Sequence, residues 1–280
     1  MILTFFNHAG GVGKTSSVRD LGVALTARGK RVLLIDLDPQ ASLTKWLDLY
    51  AQAKPTIAPD GTKTDPTATA SIRDLLPLPT PLRAFDMDVI PSFTDELFPL
   101  ELELTIKSPN SSRLRQVLRG FKNMGGFGTV RGIAQDYDFV LIDAPPSLGL
   151  LTRNAVSAAD AIVVPLPTNT KGTDGLANLR KLVNDSSFDA PDLHVKFFLL
   201  TMFQGNAGHD KDMVDQYPEI LANYFPGAHL STPVRYRGAL YKDAQSYRVP
   251  PAIGARAKKD RVSVSEEWAN VTDELLRALA

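Results

Sequence analysis

The sequence has no cysteine, no net charge and no long apolar run. Without cysteine it cannot build a disulfide framework, an iron–sulfur cluster or a cysteine-ligated zinc site, and its composition fits a reducing compartment. Its 31 basic and 31 acidic residues balance, so binding to nucleic acid or acidic lipid needs a local patch of charge. No window of about 18 uninterrupted apolar residues is present, so we expect no membrane span. The N-terminus also lacks the basic start of a signal peptide.

What the chain does have is enough apolar material for one large domain. Of its 280 residues, 44% are hydrophobic, which suits a single α/β domain over residues 1–280. We find no internal repeat. Residues 51–70 are rich in proline, threonine and alanine and show no periodicity, so we expect a mobile surface loop there.

Short apolar runs of the buried-strand type alternate with helical patterns along the chain. The predicted strands are at 2–7, 31–36, 87–91, 138–146, 161–167 and 195–202. The predicted helices are at 17–29, 95–104, 111–124, about 172–184 and 265–279, with a flexible connection at 125–132. This alternation predicts an α/β fold with a doubly wound, mostly parallel sheet and helices on both faces.

The stretch GGVGKT at 10–15 lies between the first strand and the first helix. Glycines let the backbone turn its N–H groups toward one phosphate, and the helix that follows points its positive end to the same place. Lys14 would neutralise the β and γ phosphates, and the Thr15 hydroxyl would bind Mg²⁺. An accidental glycine-rich turn is the alternative, but strand, glycines, GKT and helix together favour a phosphate loop. Its predicted nucleotide-binding residues are Gly10, Gly11, Val12, Gly13, Lys14, Thr15 and Ser16.

Two strands end in aspartates: Asp36 and Asp38 after the second strand, and Asp143 after the fourth. Ligands of open parallel sheets bind at the carboxyl ends of the strands. A carboxylate there can hold Mg²⁺ directly or through water, and a second one can position the attacking water. Aspartates beyond strands are also common turn residues and helix caps, an alternative that is strongest for Asp36. Proline follows Asp38 directly and Asp143 two residues later, which stiffens both turns.

Together these motifs resemble the ParA/MinD group of deviant Walker-motif ATPases, and most closely the short ParA-type partition ATPases. The matching pieces, in family order, are N-x-x-GGVGKT at 7–15, GKRVLLIDLDPQAS at 29–42, VIPS at 89–92, DFVLIDAPPSLGLLTRNAVSAADAIVVPLP at 138–167, GTDGLANL at 172–179 and LLTM at 199–202. The resemblance implies a P-loop NTPase fold and a slow, adaptor-stimulated ATPase that uses ATP and Mg²⁺. It also implies a homodimer that sandwiches two nucleotides, non-specific DNA binding, a ParB-like adaptor, and a cytoplasmic, nucleoid-associated protein.

The resemblance also carries roles to matching positions. Lys14 and Asp38 would be catalytic, Asp38 by activating water, while Thr15 and Asp143 would serve Mg²⁺ with Asp36 as a further candidate. Arg237, in PVRYRGA, matches a position close to the adenine.

Ala9 departs from the family, because it stands where relatives carry a signature lysine that reaches into the partner's active site. Another cation would have to replace that lysine, or the ATP dimer would be weak. Lys171 follows a strand end on the side of the sheet where ligands bind, and Arg153 follows the Asp143 loop. We take both as candidates, and solvated surface cations as the alternative.

The DNA-contacting arginines of some relatives also have no counterpart, since their positions match Asn206 and Leu240. The substitutes nearby are Lys242, Arg248, Lys258, Lys259 and Arg261. A run of charge is often only a solvated face, which remains the alternative here. The chain starts at the first strand, so we expect no N-terminal helix-turn-helix domain.

Other functions stay open beside a partition or cargo-positioning ATPase. A MinD-like membrane-surface ATPase would need a basic amphipathic tail, but here the tail carries Glu266, Glu267, Asp273 and Glu274 against Arg277, so we expect no membrane partner. A pseudo-ATPase that binds nucleotide and scaffolds an adaptor is compatible with Ala9. Electron-donating and metal-handling relatives rely on cysteine ligands and are disfavoured.

Overall fold

The computed structural model describes residues 1–107, 110–122, 129–168, 173, 175–187, 189–205, 208–254 and 258–280. Its strands are β1 (Ile2–Phe5), β2 (Val32–Asp36), β3 (Thr56–Ile57), β4 (Lys63–Thr64), β5 (Leu82–Ala84), β6 (Met87–Ile90), β7 (Gly120–Lys122), β8 (Thr129–Arg131), β9 (Phe139–Asp143), β10 (Ala161–Pro167), β11 (His194–Thr201) and β12 (His229–Leu230). Its α-helices are α1 (Lys14–Thr26), α2 (Ser42–Trp46), α3 (Thr69–Asp74), α4 (Thr94–Lys107), α5 (Arg113–Arg119), α6 (Leu150–Ala158), α7 (Leu176–Ser186), α8 (Gly208–Tyr224), α9 (Gly238–Tyr247), α10 (Pro251–Gly254) and α11 (Lys258–Leu279).

Eight of the described strands form one sheet in the order β12-β11-β10-β1-β9-β2-β6-β5. All neighbours are parallel except β5, which runs antiparallel to β6 at the edge. The chain enters at β1 in the middle and crosses over β9 to reach β2, so β1, β9 and β2 lie side by side. Their carboxyl ends therefore meet at one edge of the sheet, where ligands of such sheets bind. The predicted doubly wound fold is confirmed.

Both faces of the sheet are buried, which is why its strands are apolar without alternation. Within β2, Leu33 and Ile35 face one core, while Val32 and Leu34 face the other. Side chains of α4 to α8 build the first core, and those of α1, α2 and α11 build the second.

Helix α1 begins directly at the phosphate loop and packs closely on the sheet. A Cβ added to Gly22 would lie 2.6 Å from Met87 Sδ and 3.2 Å from a Leu34 methyl, so only glycine leaves room for this approach. The helix also buries Arg19, which makes a two-pronged ion pair with Asp20, Nε to Oδ1 at 2.8 Å and a second nitrogen to Oδ2 at 3.2 Å. A buried cation needs such a partner.

Several predicted boundaries differ from the structure. The helix expected over 111–124 ends at Arg119, because Gly120 has φ 95° and begins the β7–β8 hairpin. The expected connection 125–132 includes β8, and its residues 125–128 lie outside the described residues. The loop expected over 51–70 contains the β3–β4 hairpin and the start of α3, with Thr67, Ala68 and Thr69 buried. In the described part of the chain, no helix is long and apolar enough to cross a membrane.

Candidate functional site

The phosphate-loop motif forms a tight turn between β1 and α1. Gly11 and Gly13 have φ 72° and 91°, in the left-handed region that favours glycine. The loop is held from outside, because the Thr201 hydroxyl donates to Val12 O at 2.9 Å. Ser17 N donates to Gly13 O at 2.9 Å, which starts the helix beneath the loop.

Lys14 folds back over this loop. Its Nζ donates to Asn7 O and to Ala9 O, each at 3.0 Å. Burial lowers the pKa of Lys14, while the carboxylates of Asp143 and Asp38 raise it. The ammonium group is thus held by two backbone carbonyls that a phosphate group can replace.

Asp143, at the end of β9, is a buried carboxylate. Neither oxygen has a hydrogen-bond partner among the described residues. Burial raises its pKa well above the ordinary value, and the nearby Asp36 raises it further. The Thr15 hydroxyl lies close enough to favour the ionised form, although its geometry falls short of a hydrogen bond. An orphaned buried carboxylate needs an explanation, and a cation is one.

A magnesium ion fits this donor set. The described residues contain no group of three or more His, Cys, Asp or Glu that could cage a metal alone. Mg²⁺ usually takes only one or two protein oxygens, filling its shell with water and phosphate. Asp143 and the Thr15 hydroxyl supply that kind of partial site beside the phosphate loop.

Asp36 is occupied with contacts inside the protein. Its Oδ2 accepts hydrogen bonds from Thr44 N at 2.9 Å and the Thr44 hydroxyl at 2.7 Å, and its Oδ1 accepts one from Asp38 N at 3.2 Å. Burial raises its pKa to about 7. These contacts favour the alternative that Asp36 anchors the turn between β2 and α2.

Asp38 lies on that turn and lines the cleft described below. One carboxylate oxygen accepts a hydrogen bond from Gln40 N at 2.9 Å. Its backbone carbonyl accepts one from the Ser92 hydroxyl at 2.7 Å. The side chain is therefore held at the carboxyl edge of the sheet, near Lys14.

An open cleft of about 690 Å³ extends from the phosphate loop and Asp38 to Arg237. Its described lining includes Gly10, Gly11, Gly13, Lys14, Thr15, Ser16, Asp38, Pro146, Met202, Val234, Tyr236, Arg237 and Lys242. Arg237, the residue predicted to lie close to the adenine, is held by an ion pair with Glu267 and a 3.0 Å hydrogen bond to the Ser263 hydroxyl. The cleft can take a ligand of nucleotide size.

Arg153 and Lys171 are the two cations predicted to replace the signature lysine at a partner's phosphate. Arg153 is half-buried, a guanidinium nitrogen lies 3.7 Å from a carboxylate oxygen of Asp185 in α7, and the residue is outside the described lining of the cleft. Lys171 lies outside the described residues.

Three of the five predicted DNA candidates, Lys242, Arg248 and Arg261, have described side chains. Lys242 is exposed and lines the cleft. Arg248 pairs with Asp48, and Arg261 also has a contact partner. The side chains of Lys258 and Lys259 lie outside the described residues.

Three residues of the site were missed from the sequence. Asn7 is buried, and it braces the loop by accepting from Ala9 N at 2.9 Å and donating to Pro165 O at 2.8 Å. His8 Nδ1 lies 2.9 Å from Pro146 O. Glu101 lies beside Asp38, and its pKa is raised, chiefly by burial. Adjacency to the glycines was a usable signal for Asn7 and His8, whereas Glu101 looks like any helix carboxylate.

The fold and the site define a P-loop nucleotide-binding protein of the doubly wound class. The family described as "AAA domain" matches residues 1–190. The chain is 33% identical to the "Probable plasmid-partitioning protein ParA" of Thermus thermophilus, covering 95% of this chain and 77% of that protein. It is 36% identical to the "Chromosome partitioning protein ParA" of Caulobacter vibrioides, over 72% and 69% of the two chains. The chain therefore belongs to the ParA-type partition ATPase family, as its motifs predict.

Solved structures agree on the fold. Cobyrinic acid a,c-diamide synthase from Mycobacterium smegmatis, with bound ATP analog and magnesium, superposes with a TM-score of 0.71 at 26% identity, covering 99% of this chain and 95% of that one. The apo structure of McdA from Cyanothece gives a TM-score of 0.74 at 19% identity, covering 98% of both chains.

Proposed function

We propose that this chain binds ATP with Mg²⁺ in the cleft beside the phosphate loop and hydrolyses it. The observation that carries this proposal is that Asp143, a buried carboxylate with no hydrogen-bond partner in the described residues, lies close enough to Lys14 to raise its pKa. Lys14 would exchange its carbonyl contacts for the β and γ phosphates. Thr15 and Asp143 would hold Mg²⁺, which screens phosphate charge and orients the γ-phosphate.

Asp38 is the residue proposed to act on the attacking water. It is held on the cleft wall by Gln40 and by the Ser92 hydroxyl. Its carboxylate is close enough to influence the pKa of Lys14, which supports this role because Lys14 is proposed to contact the γ-phosphate. Arg237, already oriented by Glu267, would contact the base.

The hydrolytic function is tested by single-turnover ATP cleavage with and without Mg²⁺. The parent should convert bound ATP to ADP, slowly without an adaptor. Lys14→Ala should convert none, because the phosphate charge is left unneutralised. Equal cleavage by the two proteins would refute the assignment.

We further propose that ATP pairs two copies of the chain and that the pair binds DNA of any sequence until a ParB-like adaptor releases it. Support comes from the family, whose matched members are named for plasmid and chromosome partitioning. Because the chain is neutral overall, its DNA surface must be a local patch that pairing assembles or enlarges. This cycle would position a cargo on the nucleoid.

DNA binding has a simple electrostatic signature. Affinity for random-sequence duplex should require ATP and fall linearly with salt on logarithmic axes, because phosphate contacts release counterions. Reversing the charge of Lys242 should lower both affinity and salt slope, whereas reversing Lys54, an exposed lysine that was not a candidate, should change neither. Binding that is equally tight without nucleotide contradicts the pairing.

A second candidate is a pseudo-ATPase that binds nucleotide and scaffolds an adaptor. Ala9 favours it, because its methyl side chain cannot neutralise a partner's phosphate while its backbone is tied to Asn7 and Lys14. Tight MgATP binding with no cleavage, even with DNA and the adaptor present, would select this function.

A further inference from the structure

His8 is a polar side chain of the phosphate loop to which the proposed nucleotide site gives no role. The residue is exposed, and its Nδ1 lies 2.9 Å from the carbonyl oxygen of Pro146. A carbonyl oxygen only accepts, so this contact requires that Nδ1 carry the proton and donate it. In the neutral ring the proton is then on Nδ1 and Nε2 is unprotonated.

Pro146 belongs to loop 144–149, which leads from the end of β9 into α6. The prolines at 145 and 146 have no N–H, so these two positions can be anchored only through their carbonyl oxygens. The Thr152 hydroxyl of α6 lies 2.7 Å from Ser147 O and 3.2 Å from Pro145 O. Thus α6 holds the carbonyls on either side, and His8 holds the one between them.

His8 also packs against Gly175, at the start of α7. A Cβ added to Gly175 would lie 3.3 Å from His8 Cβ and 3.5 Å from Asn7 Oδ1. Asn7 is itself fixed by Pro165 O and Ala9 N. The backbone that carries His8 is therefore braced, so the imidazole can hold loop 144–149 rather than follow it.

Loop 144–149 borders the proposed nucleotide site, since its Pro146 lines the cleft. It begins next to Asp143, and its Ser147 hydroxyl donates to Glu101 Oε1 at 3.3 Å. Among the hydrogen bonds of the described residues, His8 to Pro146 is the side-chain bond that joins this loop to the phosphate loop. Asp143 itself is fixed by the pairing of β9 with β1 and by Ala144 N, which donates to Phe5 O at 3.4 Å. The imidazole therefore acts on the part of the loop beyond Ala144.

We propose that His8 is a positioning residue for ATP hydrolysis, which sets loop 144–149 against the phosphate loop through its Nδ1–H bond to Pro146. The inference rests on the proposed ATPase function. His8 acts through the loop and needs no contact with nucleotide, so its loss should slow turnover while leaving ATP affinity nearly unchanged.

Three substitutions isolate the bond. His8→Asn places an amide nitrogen close to the position of Nδ1, His8→Gln places it nearer Nε2, and His8→Ala has no donor. With ATP and Mg²⁺, all three should bind within about twofold of the parent by calorimetry. Single-turnover hydrolysis should be about tenfold slower in His8→Ala and His8→Gln and within about twofold of the parent in His8→Asn, as expected for one hydrogen bond. Parent-like hydrolysis in His8→Ala, or equal loss in His8→Asn, overturns the proposal.

Hydrogen exchange without nucleotide gives an independent result. The amides of Ser147 and Leu148 should exchange faster in His8→Ala and His8→Gln than in the parent and His8→Asn. Identical exchange in all four proteins overturns the anchoring. If exchange follows the prediction but the parent neither binds nor cleaves ATP, the anchor stands and the ATPase assignment falls.

Discussion

At the residue scale, the proposed ATP site depends on two buried charged side chains whose burial costs stability in the absence of a ligand. Asp143 is buried with no partner among the described residues, and Lys14 is buried on two backbone carbonyls. Each arrangement is unfavourable until a ligand of opposite charge arrives. That is the pattern expected of a site that is preorganised for nucleotide and metal.

The raised pKa values make a prediction about stability and pH. Asp143 has its pKa raised well above the ordinary value and Asp36 has its raised to about 7, in both cases mainly by burial. A raised pKa means that the folded state favours the protonated form, so stability falls as pH rises from about 4 through the folded-state value. Asp143→Asn should remove its part of that loss and stabilise the nucleotide-free protein at pH 8 by about 1–3 kcal/mol.

Thermal unfolding between pH 5 and 8 without nucleotide measures this effect. Asp138→Asn is the control, because Arg31 lowers the pKa of that exposed carboxyl to about 2. The control should lose stability in parallel with the parent over this range, and Asp143→Asn should lose less. Parallel loss in Asp143→Asn would show that its burial carries no such cost.

Asp38 allows a prediction that separates binding from catalysis. Asp38→Ala should leave MgATP affinity close to that of the parent and slow hydrolysis by roughly 10²–10⁴, the usual cost of a lost positioned base. Calorimetry and single-turnover cleavage on the same preparation give the two numbers. Hydrolysis at the parent rate, with or without adaptor, would assign water activation to another group.

Much of this site was predictable from residue type and spacing, and some was not. The glycines, Lys14 and Thr15 predict a phosphate loop, because few other functions require that combination of residues. Arg153 and Asp36 were placed by sequence position alone, and their contacts depend on α7 and α2, which bring Asp185 and Thr44 to them. A local sequence pattern does not predict which residues of other helices will contact these side chains.

At the element scale, α1 is the helix on which the site depends, since it begins at the phosphate loop. Gly22 allows it to lie against β2 and β6. Gly22→Ala gains about 1 kcal/mol of helix propensity, but overpacking against Met87 and Leu34 costs about 1–3 kcal/mol. We expect a net destabilisation of about 1 kcal/mol.

Urea unfolding of Gly22→Ala checks the balance, with Gly208→Ala of α8 as the matched control. An added Cβ at Gly208 meets nothing within 4 Å, so that variant should be neutral or slightly stabilised. If Gly22→Ala is more stable than the parent, Met87 and Leu34 can move to make room for the added methyl group.

The strands were predictable as elements because each is a buried apolar run, whereas helix boundaries were less so. The backbone of Gly120 ended α5 early, with φ 95°. The short helices α2, α3 and α10 have too few turns to show a clear period. The pairing of β5 with β6 depends on a turn through Phe85 and Asp86, both with positive φ. The sequence Phe-Asp does not by itself predict such a turn.

At the scale of the whole molecule, the prediction concerns pairing of two copies. If position 9 faces a partner's phosphate, Ala9→Lys should strengthen the ATP-dependent dimer about tenfold, as one charge-assisted hydrogen bond does. Light scattering across a concentration series measures this. Arg153→Ala and Lys171→Ala test the two substitute cations, and loss of the dimer in either would identify the replacement.

Two results would contradict these predictions about pairing. A dimer unchanged by Ala9→Lys means that position 9 does not face a phosphate of the partner. If Lys171→Ala and Arg153→Ala both pair as the parent does, neither residue replaces the signature lysine.

The central claim, a Mg²⁺-dependent ATP site at the phosphate loop, is tested most directly by titrating ATP into the protein in a calorimeter, with and without Mg²⁺. The parent should bind, and more tightly with Mg²⁺ present. Lys14→Ala should lose about 3–5 kcal/mol of binding free energy, the cost of an uncompensated charge, while Lys30→Ala, which removes an exposed lysine beyond α1, should bind like the parent. Unchanged ATP affinity in Lys14→Ala would contradict the account.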